Sequence, residues 1–587
     1  MDCRERRRRN FFLFFLGTVS TLFFLSVLVL SSLGSIYVSP DETANAFFAN
    51  RFAAAGHLEV FEPLNVQLGD VLFPRSILSI RGWLVPVGFA GLPVLYGTVL
   101  KIAGGWILPF FTAALALASA FAWFALVKRI FSQSTAFWSF LFLLVHPAWW
   151  YYVARSLMPN VPFVSFLILG VFFLVVRPLR ARIPSHRLVP SWLDAALSGF
   201  CLGLSLFIRP SEMVWVLGSL SIGAILFFRS VSWKPILAFL FFFLVGFSPF
   251  FSFNARFYGN PLATGYTVET PPVSETIFSL VPLADPPSVF GLEPVLPPPA
   301  QRATEEPFFP SLLRQGGRLL PFEVNPRTAW LHVEEYGLKF AWWVALLAGV
   351  GMVVIFLERK KEGLKGRILF VSLFLGITGW LGLFYGSMTI HDNPDPSIVS
   401  IANSYVRYWL PAFVMMSALA AHGFAWLVEK ISRRWMRLSV AVVGSLVVVG
   451  LGFQSTFLSP HDGLFAVRRT LEQSLQTRQR VLVLTEPNAV LIVDRSDKLF
   501  FPFRRVRFPL RDETTYTLLP KLAAKGPLYY YGITLPDADL HYLNTDKLAT
   551  MGLQIDFLET FGEESLYRIR AAKTLLFLSF SSTLGWL

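Results

Sequence analysis

Runs of about 20 apolar residues recur along most of this chain, with short clusters of Lys and Arg between them. Each run is long enough to cross the hydrocarbon core of a bilayer. The composition points the same way: 15% of residues are charged and 54% are hydrophobic, whereas soluble domains carry about 25% charged residues. That leaves too few charges to cover a water-facing surface, and the 60 Phe and 17 Trp suit a lipid-facing exterior. The chain reads as a polytopic membrane protein.

The net charge of +14 would suggest nucleic acid or an acidic partner in a soluble protein. Here the basic residues sit mostly between apolar runs, the distribution that sets membrane orientation, so no nucleic-acid partner is expected. Cys3 lies beside the basic N-terminus and Cys201 inside an apolar run. They do not form a disulfide framework or a Cys-based metal site. The opening apolar stretch is longer than a signal peptide's core and lacks a small-residue cleavage site, so it is read as an uncleaved first span over 11–36.

Arg4 and Arg6 to Arg9 hold the start of that span in the cytoplasm. The first external loop then covers 37–105. Its later part, RGWLVPVGFAGLPVLYGTVLKIAGG, is apolar but broken by Pro86, Pro93 and several Gly. It is read as a re-entrant or interfacial helix, because only then do all later basic clusters fall on the cytoplasmic side: Lys128-Arg129, 177–187, 229–234, 359–367 and 430–437. The remaining spans are 106–127, 135–152, 161–176, 193–208, 211–228, 235–253, 338–357, 367–387, 408–428 and 438–458. That makes about eleven, or twelve if the apolar tail 571–587 crosses. The external side collects a Pro-rich loop, 254–337, whose SLLRQGG and RTAWLHVEEYGL stretches read as short helices on the membrane, a second loop, 388–406, and a tail from 459. In the tail, RVLVLTEP, AVLIVD and PLYYYGIT read as strands, and LEQSLQTR and DKLATMG as helices. A small external α/β domain over 459–570 is expected, beyond a transmembrane domain over 1–458.

Few polar residues lie near membrane depth, and each is a functional candidate because it is costly to place there. In IYVSPDETANAFFANRFAAAGHL, Asp41 and Glu42 follow the first span directly. Ser39, Pro40 and Asp41 read as an N-cap and first helical turn, where acids favour the helix dipole. The same placement holds a carboxylate at the membrane–water boundary, where a general base is wanted. Arg155 and Asn160 (WWYYVARSLMPNVPF), Arg209 with Glu212 (FIRPSEMVW), and Arg407 and Tyr408 (SYVRYWLP) lie at outer junctions. Each Arg has a plain alternative as a snorkelling helix anchor. Together with the acidic pair they suit an anionic phosphate head group carrying an apolar tail, because Arg makes two-pronged bonds to phosphate. His146, His332 and His391 have no zinc-type spacing and read as structural or interfacial. No Walker loop, dinucleotide-binding glycine motif or nucleophile elbow is present.

These motifs resemble the GT-C superfamily of polyprenyl-phosphate-dependent glycosyltransferases, in particular the bacterial membrane enzymes that include aminoarabinose transferases and relatives of protein O-mannosyltransferases. PDETANAFFANRFAAAGHLEV is similar to the family's first external loop, GWLVPVGFAGLPVLYGTVLKIAGG to its second juxtamembrane helix, LGLSLFIRPSEM to its Arg-Pro span, NARFYGNPLATGY to its external YGNPLxTGY motif, and RYWLPAF to a late span start. The resemblance covers about 10–430. It implies an all-α, GT-C-like membrane fold with external juxtamembrane helices, placed in the cytoplasmic (inner) membrane of a bacterium with the active site facing the periplasm. It implies an inverting transfer from a polyprenyl-phosphate sugar to an acceptor hydroxyl on a glycan, lipid or protein. Asp41 would be the base, with Glu42 beside it, and Arg155, Asn160, Arg209, Tyr266, Arg407 and Tyr408 would bind substrate. No cofactor is called for, and a divalent cation is left open. One departure stands out. Where many family members carry an acid after the third span, this chain has Pro159-Asn160-Val161-Pro162. Asn is no base, so Glu42, Glu59, Glu62 and Asp70 are the acids left to compensate. The alternatives are a multi-span transporter or lipid-linked-glycan flippase, and a non-catalytic envelope scaffold.

Overall fold

The computed structural model describes residues 3–176, 192–227, 233–268, 324–358, 363–388, 390 and 399–572. The basic stretch 177–187, SLLRQGG, His391 and the tail 573–587 lie outside the described residues.

Six helices are long and apolar enough to cross a membrane: Phe14–Ser31, Gly105–Ile130, Trp233–Tyr258, Leu364–Gly386, Leu410–Glu429 and Arg434–Phe457. Two helix pairs are apolar enough together but sharply bent: Trp192–Ile208 with Pro210–Leu226 by 112°, and Pro326–Lys339 with Trp342–Leu357 by 92°. Counting each bent pair as one crossing gives eight among the described residues. The chain is an integral membrane protein. The difference from about eleven spans has three parts: the expected spans 193–208 and 211–228 are the arms of one bent pair, and two others are broken or short. The expected span 135–152 is broken at His146 into Gln133–Leu144 and Pro147–Ala154. The next, Asn160–Val175, has 16 residues. At 1.5 Å per residue it reaches about 24 Å, short of a core of about 30 Å. The breaks before Pro147 and Pro210 use proline at a first helical position, where its missing N–H needs no partner.

Helix packing in the bundle depends on small residues. A Cβ on Gly199 or Gly203 would sit 2.2 Å from the carbonyl oxygen of Phe239 or Phe243, so only glycine lets Trp192–Ile208 and Trp233–Phe247 approach this closely.

The segment 80–105, expected to be one helix, opens with a strand, Trp83–Pro86, before its helix. β1 (Val60–Phe61), β2 (Ile77–Ile80) and β3 (Trp83–Pro86) form an antiparallel sheet in the order β1-β3-β2. Only Gly91–Ala103 is helical, and it packs on the helix Pro40–Ala55. The β2–β3 turn is Arg81-Gly82, both at positive φ (53° and 83°), as a two-residue hairpin turn requires.

Residues 464–571 build a helix, Leu464–Leu484, and a five-stranded sheet. The strands are β4 (Val490–Val493), β5 (Arg505–Arg507), β6 (Leu528–Ile533), β7 (Leu553–Phe561) and β8 (Glu564–Ala571), in the order β5-β4-β6-β8-β7. β4 and β6 are the runs AVLIVD and PLYYYGIT. RVLVLTEP is not a strand: its first five residues finish the helix. Val467, Leu471, Arg478 and Val481 are buried at helical spacing through that stretch, and burial of one continuous face outweighs the β-preference of valine. β5 and the β7–β8 hairpin are strands beyond the two runs that do form them. Leu68, Val71 and Leu72 of the first loop join the apolar core of this sheet, with Ile492, Leu519 and Tyr530.

Candidate active site

The helix Pro40–Ala55 begins with a capping box. Ser39 Oγ accepts from the Glu42 amide at 3.3 Å, and Glu42 Oε2 accepts from the Ser39 amide at 2.9 Å. This turns Glu42 back toward the helix start. Neighbouring helical positions do not share a face, so Asp41 points elsewhere.

The two acids have different fates. Glu42 is 3% exposed and Arg155 4%. They meet in a two-pronged pair, Arg155 Nη2 to Oε2 at 2.8 Å and Nε to Oε1 at 3.1 Å. Arg155, at the end of the helix Pro147–Ala154, is therefore committed to Glu42. The Asp41 side chain is 40% exposed. Its Oδ1 accepts from Ser76 Oγ at 2.6 Å, and its Oδ2 lies 3.4 Å from Arg407 Nη1.

Arg407 lies in the short helix Ser404–Tyr408. Its Nη2 donates to Ser404 Oγ at 2.7 Å, and its carbonyl accepts from Asn160 Nδ2 at 2.9 Å. Asn160 is thus tied to the backbone of Arg407, while its buried Oδ1 has no hydrogen-bond partner among the described residues. Arg209 sits at the bend between Trp192–Ile208 and Pro210–Glu212. Its Nη2 donates to Glu212 Oε1 at 2.8 Å and to the Tyr385 hydroxyl at 2.9 Å. Its buried Nε has no partner among the described residues. The Arg209 and Arg407 guanidinium carbons lie 4.8 Å and 5.1 Å from the centroid of the same Tyr408 ring, and Tyr408 stacks on Tyr385 at 4.4 Å. Two cations thus share one aromatic platform.

Tyr266 completes the group. Its ring is 66% exposed and packs edge-on against Phe89 at 5.7 Å. Asp41, Tyr408, Arg407 and Arg209 are the ionisable groups that face its phenol. Tyr266 and Asp41 are the exposed members of this group. The structure therefore gathers Asp41, Arg209, Tyr266, Arg407 and Tyr408 in one place and engages Glu42, Arg155 and Asn160 in the frame behind them.

The other acids of the first loop are occupied. Glu59 pairs with Arg256 and lies 3.5 Å from His57 Nδ1. Glu62 caps the helix Pro63–Leu68 and binds Arg505 at 3.0 Å. Asp70 accepts from Ser79 Oγ and from the amides of Arg81 and Gly82, holding the hairpin turn. His146 accepts from the Ala148 amide and stacks on Phe413, while His332 is hydrogen-bonded to the Gly386 carbonyl and stacks on Tyr405. Among the described residues no group of three or more His, Cys, Asp or Glu side chains is placed to hold a metal ion, so no residue set is named for the cation left open above. A separate cavity of about 380 Å³ lies against the helix Leu464–Leu484, lined by Tyr37, Tyr151, Asp462, Lys498 and Glu564 among others. None of the candidate residues lines it.

Ser76 and Tyr385 are missing from the sequence-based set. Ser76 lies in a loop and Tyr385 at the end of an apolar helix, and no local pattern marks either one.

The fold matches that of ArnT from Cupriavidus metallidurans in the apo state, with a TM-score of 0.50 and 13% identity, over 96% of this chain and 98% of that one. The same enzyme bound to undecaprenyl phosphate matches with a TM-score of 0.50 and 13% identity, over 95% and 98%. The Archaeoglobus fulgidus oligosaccharyltransferase in the apo form gives a TM-score of 0.45 and 11% identity, over 88% of this chain and 69% of its own. No protein-family model matches the sequence, and no curated protein sequence does.

Proposed function

We propose that this protein is an inverting membrane glycosyltransferase that moves a sugar from a polyprenyl-phosphate donor to an acceptor hydroxyl, on the extracytoplasmic side of a bacterial inner membrane. One observation carries the reading: Asp41, the acid with an open face, lies beside Arg407, and Arg407 shares the Tyr408 ring with Arg209. The likeness to ArnT, which has been solved with undecaprenyl phosphate bound, supports a lipid-phosphate donor. The basic clusters between spans support the sidedness.

In this reading Asp41 takes the proton of the acceptor hydroxyl as that oxygen attacks the anomeric carbon. The bond from that carbon to the phosphate oxygen breaks, and the polyprenyl phosphate leaves with one more negative charge. Direct displacement inverts the anomeric centre. General-base action of this kind contributes roughly 10²–10⁴-fold. Once protonated, Asp41 no longer holds Arg407 by charge, and that guanidinium turns to the departing phosphate. Arg209, with its spare Nε, supplies a second charged donor.

The test uses membranes supplied with a radiolabelled pool of polyprenyl-phosphate sugars. Label moves to an acceptor with the wild type and stops with Asp41→Asn, while the variant protein still inserts. If the wild type carries lipid-linked sugar across the membrane and transfers no label, the transporter reading replaces this one.

A further inference from the structure

The segments that carry Asp41 and its partner Ser76 are held by groups that come from the far end of the chain. Ser76, the hydrogen-bond donor to Asp41, has φ +66°, a left-handed conformation that serine rarely adopts. The neighbouring Arg75 explains how it is kept there. The Arg75 amide donates to Asp497 Oδ2 at 2.7 Å, and its Nε donates to Oδ1 at 2.9 Å. Asp497 is wholly buried and opens the short helix Asp497–Phe500 of the C-terminal domain. The next residue, Lys498, donates to the carbonyl of Val38, immediately before the Ser39 cap of the helix that carries Asp41. Two consecutive residues therefore grip both segments that meet at Asp41: Asp497 holds the one bearing the donor Ser76, and Lys498 holds the one bearing the acid. Phe501 adds an edge-on contact to Phe47 of that helix at 4.8 Å.

We infer that the C-terminal domain is a positioning device for the base. Asp497, acting through Arg75 and Ser76, and Lys498, acting through Val38, fix the Asp41 carboxylate so that one oxygen is held by Ser76 and the other faces Arg407. This rests on the proposed function for its catalytic meaning, but the mechanical part stands on geometry alone. Ser76 is a positioning residue here, because it acts through Asp41. The arrangement also gives the domain a reason to be seated on the first loop, since a free-standing domain could not hold a side chain there.

Two readouts on the full-length protein in lipid nanodiscs test it. The first needs no activity: Asp41 is labelled with a water-soluble carbodiimide and glycinamide, and the modified peptide is measured by mass spectrometry. A carboxylate held on one oxygen reacts slowly, so Ser76→Gly and Asp497→Asn each speed labelling by about threefold or more, on the scale of one lost hydrogen bond. Ser76→Asn tolerates the left-handed backbone, keeps a donor and stays near the wild-type rate. Equal rates in all four proteins overturn the relay. The second readout is transfer of label from polyprenyl-phosphate sugar. Ser76→Gly relieves the backbone strain, so its melting temperature does not fall, yet kcat drops about tenfold with KM unchanged. A purely structural turn would leave kcat intact, and that outcome overturns the positioning role. A wild type that transfers no label while the labelling differences persist sinks the proposed function and leaves the relay standing.

Discussion

Arg155 and Glu42 form a two-pronged ion pair with both side chains almost wholly enclosed, at 2.8 Å between Nη2 and Oε2. It joins the start of the helix Pro40–Ala55 to the turn before Asn160–Val175, and so anchors the frame behind Asp41. Removing one partner strands a buried charge, which costs about 3–5 kcal/mol. Arg155→Met is therefore expected to lower the melting temperature strongly. Adding Glu42→Gln to it should restore much of the loss, because no net charge then remains buried. Thermal unfolding of the four proteins of this cycle measures it, and additive losses would show that the pair is not coupled.

Arg407 answers a different question. Its Nη2 is anchored on Ser404 Oγ at 2.7 Å, while its Nη1 lies 3.4 Å from Asp41 Oδ2, so the guanidinium is held in place with one arm toward the acid. Arg407→Gln is expected to lower transfer by about 10²–10³-fold, the scale for loss of one donor aimed at developing charge. Transfer assays with the labelled donor pool check this. A loss below threefold would remove Arg407 from the chemistry.

Tyr385 links Arg209 and Glu212, with its hydroxyl 2.9 Å from Arg209 Nη2. Tyr385→Phe keeps the stack on Tyr408 but leaves both charged groups short of a partner. The expected cost is about 1–3 kcal/mol of stability, read as a lower melting temperature in detergent. An unchanged melting temperature would mean that water replaces the hydroxyl freely.

Helix packing in the bundle is testable at Gly203, where a Cβ would lie 2.2 Å from the Phe243 carbonyl oxygen. Gly203→Leu should force Trp192–Ile208 and Trp233–Phe247 apart and prevent accumulation of a monodisperse protein. Gly218→Leu, at a position where a Cβ meets nothing within 4 Å, should be tolerated. Size-exclusion profiles of the two variants compare them directly.

Much of the candidate site is legible in the chain because its signals are local. A polar residue beside an apolar run costs too much to be idle, and that reasoning picks out Asp41, Arg209, Arg407 and Tyr408. Ser39 announces a helix start for the same local reason. Ser76 and Tyr385 escape because their value lies in partners 35 and 173 residues away. The first-loop strands escape as well, since Pro86 and the glycines around it read as breaks in a helix when they mark the end of β3.

Membrane residence, the basic clusters and an acid at the first helix start after the leading span were determined by the sequence alone, because hydrophobicity, charge distribution and capping act over one or two turns of chain. Which of two adjacent carboxylates stays open was decided only by the fold. Glu42 is enclosed by Arg155, 113 residues away in the chain, while Asp41 is steadied through Ser76 and Arg75 by Asp497, 422 residues beyond Arg75. Pairing at such separations depends on how whole elements pack, and no spacing in the sequence encodes it.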